Sequence, residues 1–273
     1  MTNKSDKELA FLHDLYIATD WGERFAELAD EHIEPPKEGR VLYVEAGTGG
    51  HALALRESGG EKLTIVCADE NEECLELARA KGAALHESIT FQVESPQALS
   101  FVDNEFDLVL GNLSFTPPGN LRPAISELVR VTKTGETTAW WLPTAGSFGE
   151  FFSIYWEALL GADVEDHGVD VERLIVDLPT VSDAEALAED AGLEEVQSWT
   201  AIEEFDFESG EVFLNSPLIQ HFLLPAWMQS VPAAAREKAS SELTRIIDAE
   251  RHTGEFALTL KATLVLGKKG RVQ

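Results

Sequence analysis

Arg40-Val41-Leu42-Tyr43-Val44-Glu45-Ala46-Gly47-Thr48-Gly49-Gly50 is the stretch whose reading decides the fold. Its first half is a short, nearly continuous apolar run, as expected of a strand buried on both faces of a parallel sheet. Its second half is a glycine-rich turn, and His51-Ala52-Leu53-Ala54-Leu55 then opens a helix. Glycines let backbone approach a ligand, and a helix start presents N–H groups without intrahelical partners. The next apolar run, Leu63-Thr64-Ile65-Val66-Cys67-Ala68, ends at Asp69, an acid placed to bind ribose hydroxyls. Strand, turn and acid together read as a seat for a nucleoside-bearing cofactor.

Working outward, strands and helices alternate. The strand at 41–45 leads to the helix from His51. The strand at 63–68 leads to a helix over 72–81 that Gly82 is expected to close. Strands follow at 89–93 and 107–110. Asn120 is placed to cap a helix running to Val131, and Gly135 turns the chain into a strand at 137–142. This spacing implies βαβ crossovers and a parallel sheet. Upstream, Ser5-Asp6-Lys7-Glu8 forms a capping box for one or two helices that end before Pro35-Pro36. Downstream, 148–160 is aromatic-rich and helical in pattern. Ser182-Asp183-Ala184-Glu185 reads as a second capping box, and 193–200 as a strand. Helices are expected over 218–227 and 232–251. The final run, 257–266, alternates like a strand paired antiparallel at a sheet edge.

The chain has 273 residues and a formal net charge of −28, so a phosphate backbone or an anionic membrane is repelled. Nucleic acid and membrane partners are therefore not expected. The acidity reads as a solubility device. No apolar run has the length of a membrane span, and the first residues lack the apolar core of a signal peptide. Two cysteines, Cys67 and Cys74, are too few for a disulfide framework and flank no histidine pair, so a cytoplasmic, reduced setting is expected and no metal. There is no Ser-His-Asp order or Gly-x-Ser-x-Gly elbow for hydrolysis.

By spacing alone, Gly47-Thr48-Gly49-Gly50-His51-Ala52 satisfies G-x-G-x-x-A, which does not separate a nicotinamide cofactor from S-adenosylmethionine. Four stretches together carry a resemblance to the class I S-adenosylmethionine-dependent methyltransferases, the small-molecule type in particular. The stretch from Arg40 to Gly50 resembles RVLEVGAGTGG. Val66-Cys67-Ala68-Asp69 with Leu75-Glu76-Leu77-Ala78-Arg79 resembles the second strand and helix. Asp103-Asn104-Glu105-Phe106-Asp107-Leu108-Val109 with Asn112 resembles DNSFDLVxxN. Glu127-Leu128-Val129-Arg130-Val131-Thr132-Lys133-Thr134-Gly135 resembles ELxRVLKPGG. The likeness covers residues 35–145 well and the last strand loosely. It implies a Rossmann-like, doubly wound α/β fold with a mostly parallel seven-stranded sheet and an antiparallel last strand. Residues 1–38 would form an N-terminal helical cap, 39–204 with 252–273 the sheet domain, and 205–251 a helical lid or dimerisation insertion. A homodimer is compatible with this.

The first motif departs from the family. In the ungapped register Tyr43 stands where an acid is usual and Glu45 where the first glycine is usual; shifting by two puts Glu45 at the acid and His51 at the third glycine. Ser95 stands where an Asp near adenine is common, and Pro96 has no N–H to offer the ring. The resemblance implies S-adenosyl-L-methionine as cofactor, held by Glu45, Ala46, Gly47, Gly49, Asp69, Glu70, Ser95, Pro96, Asn112 and, from the N-terminal helix, Tyr16, with Trp21 beside it. Asn112 and His221 are the candidates for orienting a methyl acceptor. Phe213, Leu214, Phe222 and Trp227 are candidates for an apolar substrate wall, a dimer contact or plain core. The leading expectation is in-line methyl transfer to a small molecule. A catalytically degenerate binding or regulatory relative and an NAD(P)-dependent oxidoreductase remain as alternatives.

Overall fold

The computed structural model describes residues 4–60, 62–85, 89–164, 167–250 and 255–271. They group into two compact units. The first comprises Met1–Leu142, Val181–Thr200 and Thr263–Gln273, and the second Pro143–Thr180 and Ala201–Ala262.

The first unit opens with α1 (Asp6–Leu12), a π-helical stretch (His13–Gly22) and α2 (Glu23–His32). The capping box at Ser5 forms: its Oγ accepts from the Glu8 N–H, and its own N–H donates to the Glu8 carboxylate at 2.9 Å. Then come β1 (Glu38–Val44), α3 (Gly50–Ser58), β2 (Lys62–Asp69), α4 (Glu72–Ala84), β3 (Ile89–Val93), β4 (Phe106–Asn112), α5 (Pro118–Val131) and β5 (Thr132–Pro143). Among the described residues, seven strands form one sheet in the order β3-β2-β1-β4-β5-β7-β6, with β6 (Leu193–Phe207) and β7 (Phe256–Lys269) last in the chain. The pairs β3–β2, β2–β1, β1–β4 and β4–β5 are parallel, and the last strands run antiparallel. This is a Rossmann-like, doubly wound arrangement. The order reverses between β1 and β4, and a crevice at the carboxyl ends of such strands is where this architecture takes ligands.

The core explains the apolar strands. Leu42, Val66, Val109 and Trp140 are buried against Leu121, Ile125 and Leu128 of α5. Ala184 and Ala188 of α8 (Val181–Asp190) pack there too. Each large side chain so buried is worth about 1.5–3 kcal/mol. Arg130 of α5 ties down the segment after β3. Its guanidinium donates to the Leu99 and Phe101 carbonyls at 2.9 and 2.8 Å, while Glu127 holds it at 2.6 Å and accepts the Leu99 N–H. The Glu-x-x-Arg spacing of that helix thus fixes the chain where it returns to the start of β4.

Three local expectations are corrected. Gly82 does not close α4, which continues to Ala84: Gly82 lacks the left-handed backbone of a helix-ending glycine and lies within the helix beside Phe91. Asn120 does not cap α5. That helix starts at Pro118, whose missing N–H costs nothing in a first turn, and Asn120 donates its N–H to Pro117. Ser182 is likewise inside α8, which begins at Val181.

The second unit contains α6 (Gly149–Gly161), α7 (His167–Val176), α9 (Gly210–Asn215), a π-helical stretch (Leu218–Leu223), α10 (Leu224–Trp227) and α11 (Ala233–Glu250). Its centre is aromatic. Phe151 stacks on Trp227 at 4.2 Å and on Tyr155 at 5.0 Å, and the Tyr155 hydroxyl donates to the Trp227 carbonyl at 2.9 Å. Phe213 is fully buried beside Phe151, so Phe213 and Trp227 are packing residues of this core. No helix among the described residues is long and apolar enough to cross a membrane.

Candidate functional site

The glycine turn between β1 and α3 is built from left-handed backbone. Glu45, Gly47 and Gly49 have φ of 56°, 55° and 77°. Glycine adopts such angles freely, but at Glu45 the chain holds a side chain in a conformation that costs an L-residue roughly 1–2 kcal/mol. Its carboxyl group is buried, and Oε1 has no hydrogen-bond partner. Burial and the nearby charges of Asp69 and Glu70 push Glu45 up to about 9, so the carboxyl stays protonated at neutral pH.

Asp69, at the tip of β2, is buried too, and burial raises it. Two backbone amides offset this: the Gly47 N–H donates to Oδ2 at 2.7 Å and the Asn71 N–H to Oδ1 at 2.8 Å. Two carboxyls this close do not both ionise readily, and the two amides favour Asp69 as the one that carries charge. The pair therefore suits a ligand that brings both sugar hydroxyls and a cation. Glu70 is exposed beside them.

The N-terminal helices lie across this turn. A Cβ on Gly47 would sit 2.6 Å from His13 Cε1, so the imidazole rests directly on the turn. Burial lowers His13 to about 4, which keeps the ring neutral. Asp14 pairs with the Lys81 ammonium, which also donates to the Thr48 carbonyl at 3.2 Å. Lys81 thereby links α4, the turn and the π-helical stretch.

Beside the turn is a cavity of about 390 Å³. Ala46, Thr48, Gly49, Trp21, Asn112 and Phe115 are among the residues that line it. Trp21 stacks on Phe115 at 5.1 Å, and its Nε1 donates to Ser114 Oγ at 3.1 Å. Asn112 Oδ1 accepts the Ser114 N–H at 3.3 Å. Tyr43, His51 and Asp30 also line the cavity. The Tyr43 hydroxyl lies 3.0 Å from His51 Nδ1, and His51 Nε2 lies 3.0 Å from Asp30 Oδ1.

The structure thus gathers Glu45, Gly47 and Asp69 at the strand tips, and Ala46, Gly49 and Asn112 around the cavity. Ser95 and Pro96 follow β3, where the Glu94 N–H donates to the Asp69 carbonyl at 3.1 Å. Ser95 Oγ donates to Gln97 at 3.0 Å, and Pro96 is buried. Tyr16 is half exposed and is not among the residues lining the cavity; Trp21 is. His221 belongs to the second unit and Asn112 to the first. Sequence reasoning missed His13, Lys81 and the partners of Tyr43. The replacement of an acid by Tyr43 was the one visible signal, since Asp30 is 21 residues from His51 and meets it only through packing.

The family pattern described as "Methyltransferase domain" matches residues 41–135. Demethylmenaquinone methyltransferase of Deinococcus radiodurans is 31% identical over 149 residues, 54% of this chain and 61% of its own length. The same-named protein of Thermus thermophilus is 32% identical over 145 residues, 51% of this chain and 63% of its own length. The chain therefore spans less than two thirds of these curated relatives. The crystal structure of the YcgJ protein from Bacillus subtilis aligns with a TM-score of 0.60 at 19% identity, covering 92% of this chain and 100% of that one, a likeness of fold. Residues 41–135 thus match a methyltransferase domain, and the sheet that carries them has a Rossmann-like fold shared with solved structures.

Proposed function

We propose that the chain transfers a methyl group from S-adenosyl-L-methionine to a small-molecule acceptor. The observation that carries this is the buried, unpartnered Glu45 carboxyl oxygen at a left-handed turn beside Asp69. A protonated carboxyl in that place suits a ligand bearing an ammonium group and a sulfonium, and a hydrogen-bonded acid at the β2 tip suits ribose. Glu45, Asp69, Glu70 and the turn at Ala46, Gly47 and Gly49 would hold the cofactor, with Ser95 and Pro96 beside the base. Pro96 offers no N–H, so recognition of the base rests on packing and side chains there.

When bound, this cofactor supplies a methyl group on a good leaving group. The protein's task is alignment and exclusion of water. The cavity supports that task. Trp21 and Phe115 give part of its wall an aromatic face, and Asn112, which lines it, is the candidate for orienting the acceptor. Its volume of about 390 Å³ and the net charge of −28 favour a small acceptor over nucleic acid. Two relatives are named for demethylmenaquinone, a small molecule. The buried free thiols Cys67 and Cys74 fit a reduced, cytoplasmic setting. Calorimetric titration with S-adenosylhomocysteine tests the reading. Binding at about micromolar affinity is expected, and no binding at about millimolar ligand would refute it.

A further inference from the structure

The geometry points to Tyr43, His51 and Asp30 as a proton relay that takes the proton from an aromatic hydroxyl bound in the cavity. This rests on the methyl-transfer reading and names the acceptor class for the same site.

Hydrogen-bond chemistry fixes the direction. An ionised Asp30 carboxylate only accepts, so the contact at 3.0 Å puts the proton of a neutral His51 on Nε2. Nδ1 is then a lone pair, and the Tyr43 hydroxyl at 3.0 Å must donate to it. The Tyr43 oxygen keeps lone pairs to accept one more hydrogen bond, and Tyr43 lines the cavity. Tyr43 is almost fully buried, the His51 side chain is 11% exposed and Asp30 is 56% exposed, so the chain runs from the interior to water. Trp141 backs both Tyr43 and His51, with ring centroids 5.8 and 5.9 Å away, and holds the two rings in place.

The step balances. The acceptor O–H bond breaks and its proton passes to the Tyr43 oxygen, while the proton of Tyr43 passes to His51 Nδ1. The imidazolium so formed is paired with Asp30, and the acceptor oxygen keeps the electron pair it needs as a nucleophile. The imidazolium later loses one proton to water, and the neutral ring regains the Nε2–H tautomer that the Asp30 carboxylate favours. Phe115, stacked on Trp21 and lining the cavity, offers an aromatic face that favours an aromatic ring as the body of the acceptor. The surrounding charges oppose an anion unless the relay acts. Asp30, Glu27 and Glu23 line the cavity from α2, and Lys81 is already tied to Asp14. A neutral hydroxyl compound would enter, and ionise only against the imidazolium.

The test uses 4-nitrophenol, whose phenolate is yellow, as an acceptor surrogate. The probe is titrated spectroscopically with pH on the full chain, with and without S-adenosylhomocysteine, and its binding is followed by calorimetry. The wild type is expected to lower the bound probe's apparent pKa by about one unit or more. His51→Gln, Tyr43→Phe and Asp30→Asn should return it to the free value with probe binding retained. Asp30 is largely exposed, so Asp30→Asn reads the relay without a folding burden. Equal ionisation in wild type and variants, or no binding of the probe in either state, overturns the relay. Absence of S-adenosylhomocysteine binding instead overturns the methyl-transfer reading, so the two failures are distinct.

Discussion

Replacing Glu45 by Gln should abolish a proton release that accompanies cofactor binding. In the free protein the Glu45 carboxyl is buried beside Asp69 and raised to about 9. At about pH 7.5 such a group is roughly 97% protonated. A ligand ammonium beside it favours the anion, and once its pKa falls into the usual carboxylate range it gives up nearly one proton per site. Calorimetric titration of S-adenosylhomocysteine in phosphate and in Tris at one pH reads this directly. The apparent enthalpy should vary with buffer ionisation enthalpy with a slope of roughly one proton released for the wild type and near zero for Glu45→Gln. Tight wild-type binding with no buffer dependence, or an equal slope in both proteins, would refute the assignment of Glu45 as the group that meets the cation.

The same carboxyl shapes stability. A folded-state pKa raised above the unfolded value means that the native state holds the extra proton between about pH 4.5 and 9, so stability falls as pH rises through that window, by at most about 1.4 kcal/mol per unit. Glu45→Gln should flatten the alkaline fall of Tm, and an unchanged pH profile would contradict it. Gly47→Ala should cost about 1–2 kcal/mol from its φ of 55° alone, and more because the new Cβ meets His13; the added substitution His13→Ala should recover only the steric part in denaturant titrations. Gly82→Ala should stabilise by about 0.5–1 kcal/mol, because the position is helical and the added methyl makes ordinary 3.5 Å contact with Phe91, a gain read as a raised Tm. Lys81→Met should speed amide exchange in the His13–Gly22 stretch, since it removes the partner of Asp14 and the link to Thr48.

The sheet was legible because burial on both faces demands the long apolar runs at 41–45 and 63–68, and because glycine and an acid mark the strand tips. The helix ends were read less well. Gly82 lies inside a helix that the following residues continue, and Pro118 takes the place of an expected polar cap at Asn120. The site was legible where a residue acts through its own backbone, as at Gly47 and Gly49. It was illegible where action depends on a partner from another element. His51 read as a mere helix start because Asp30, on α2 and 21 residues away, meets it only in the folded chain. Tyr43 and Glu45 stood out as departures from a pattern, but the sequence carried neither the hydrogen bond of one nor the left-handed backbone of the other.

The His13–Gly22 stretch is wound with about 4.4 residues per turn instead of 3.6. Each residue therefore advances by some 18° less than in an ordinary helix, and over ten residues the accumulated lag is roughly half a revolution. His13 at one end rests on the glycine turn, and Trp21 near the other donates to Ser114 and stacks on Phe115. Rewinding the stretch to the usual pitch would swing the indole by roughly 145° about the axis relative to the imidazole, so its bond to the Ser114 hydroxyl and its stack on Phe115 are tied to the winding of a single segment.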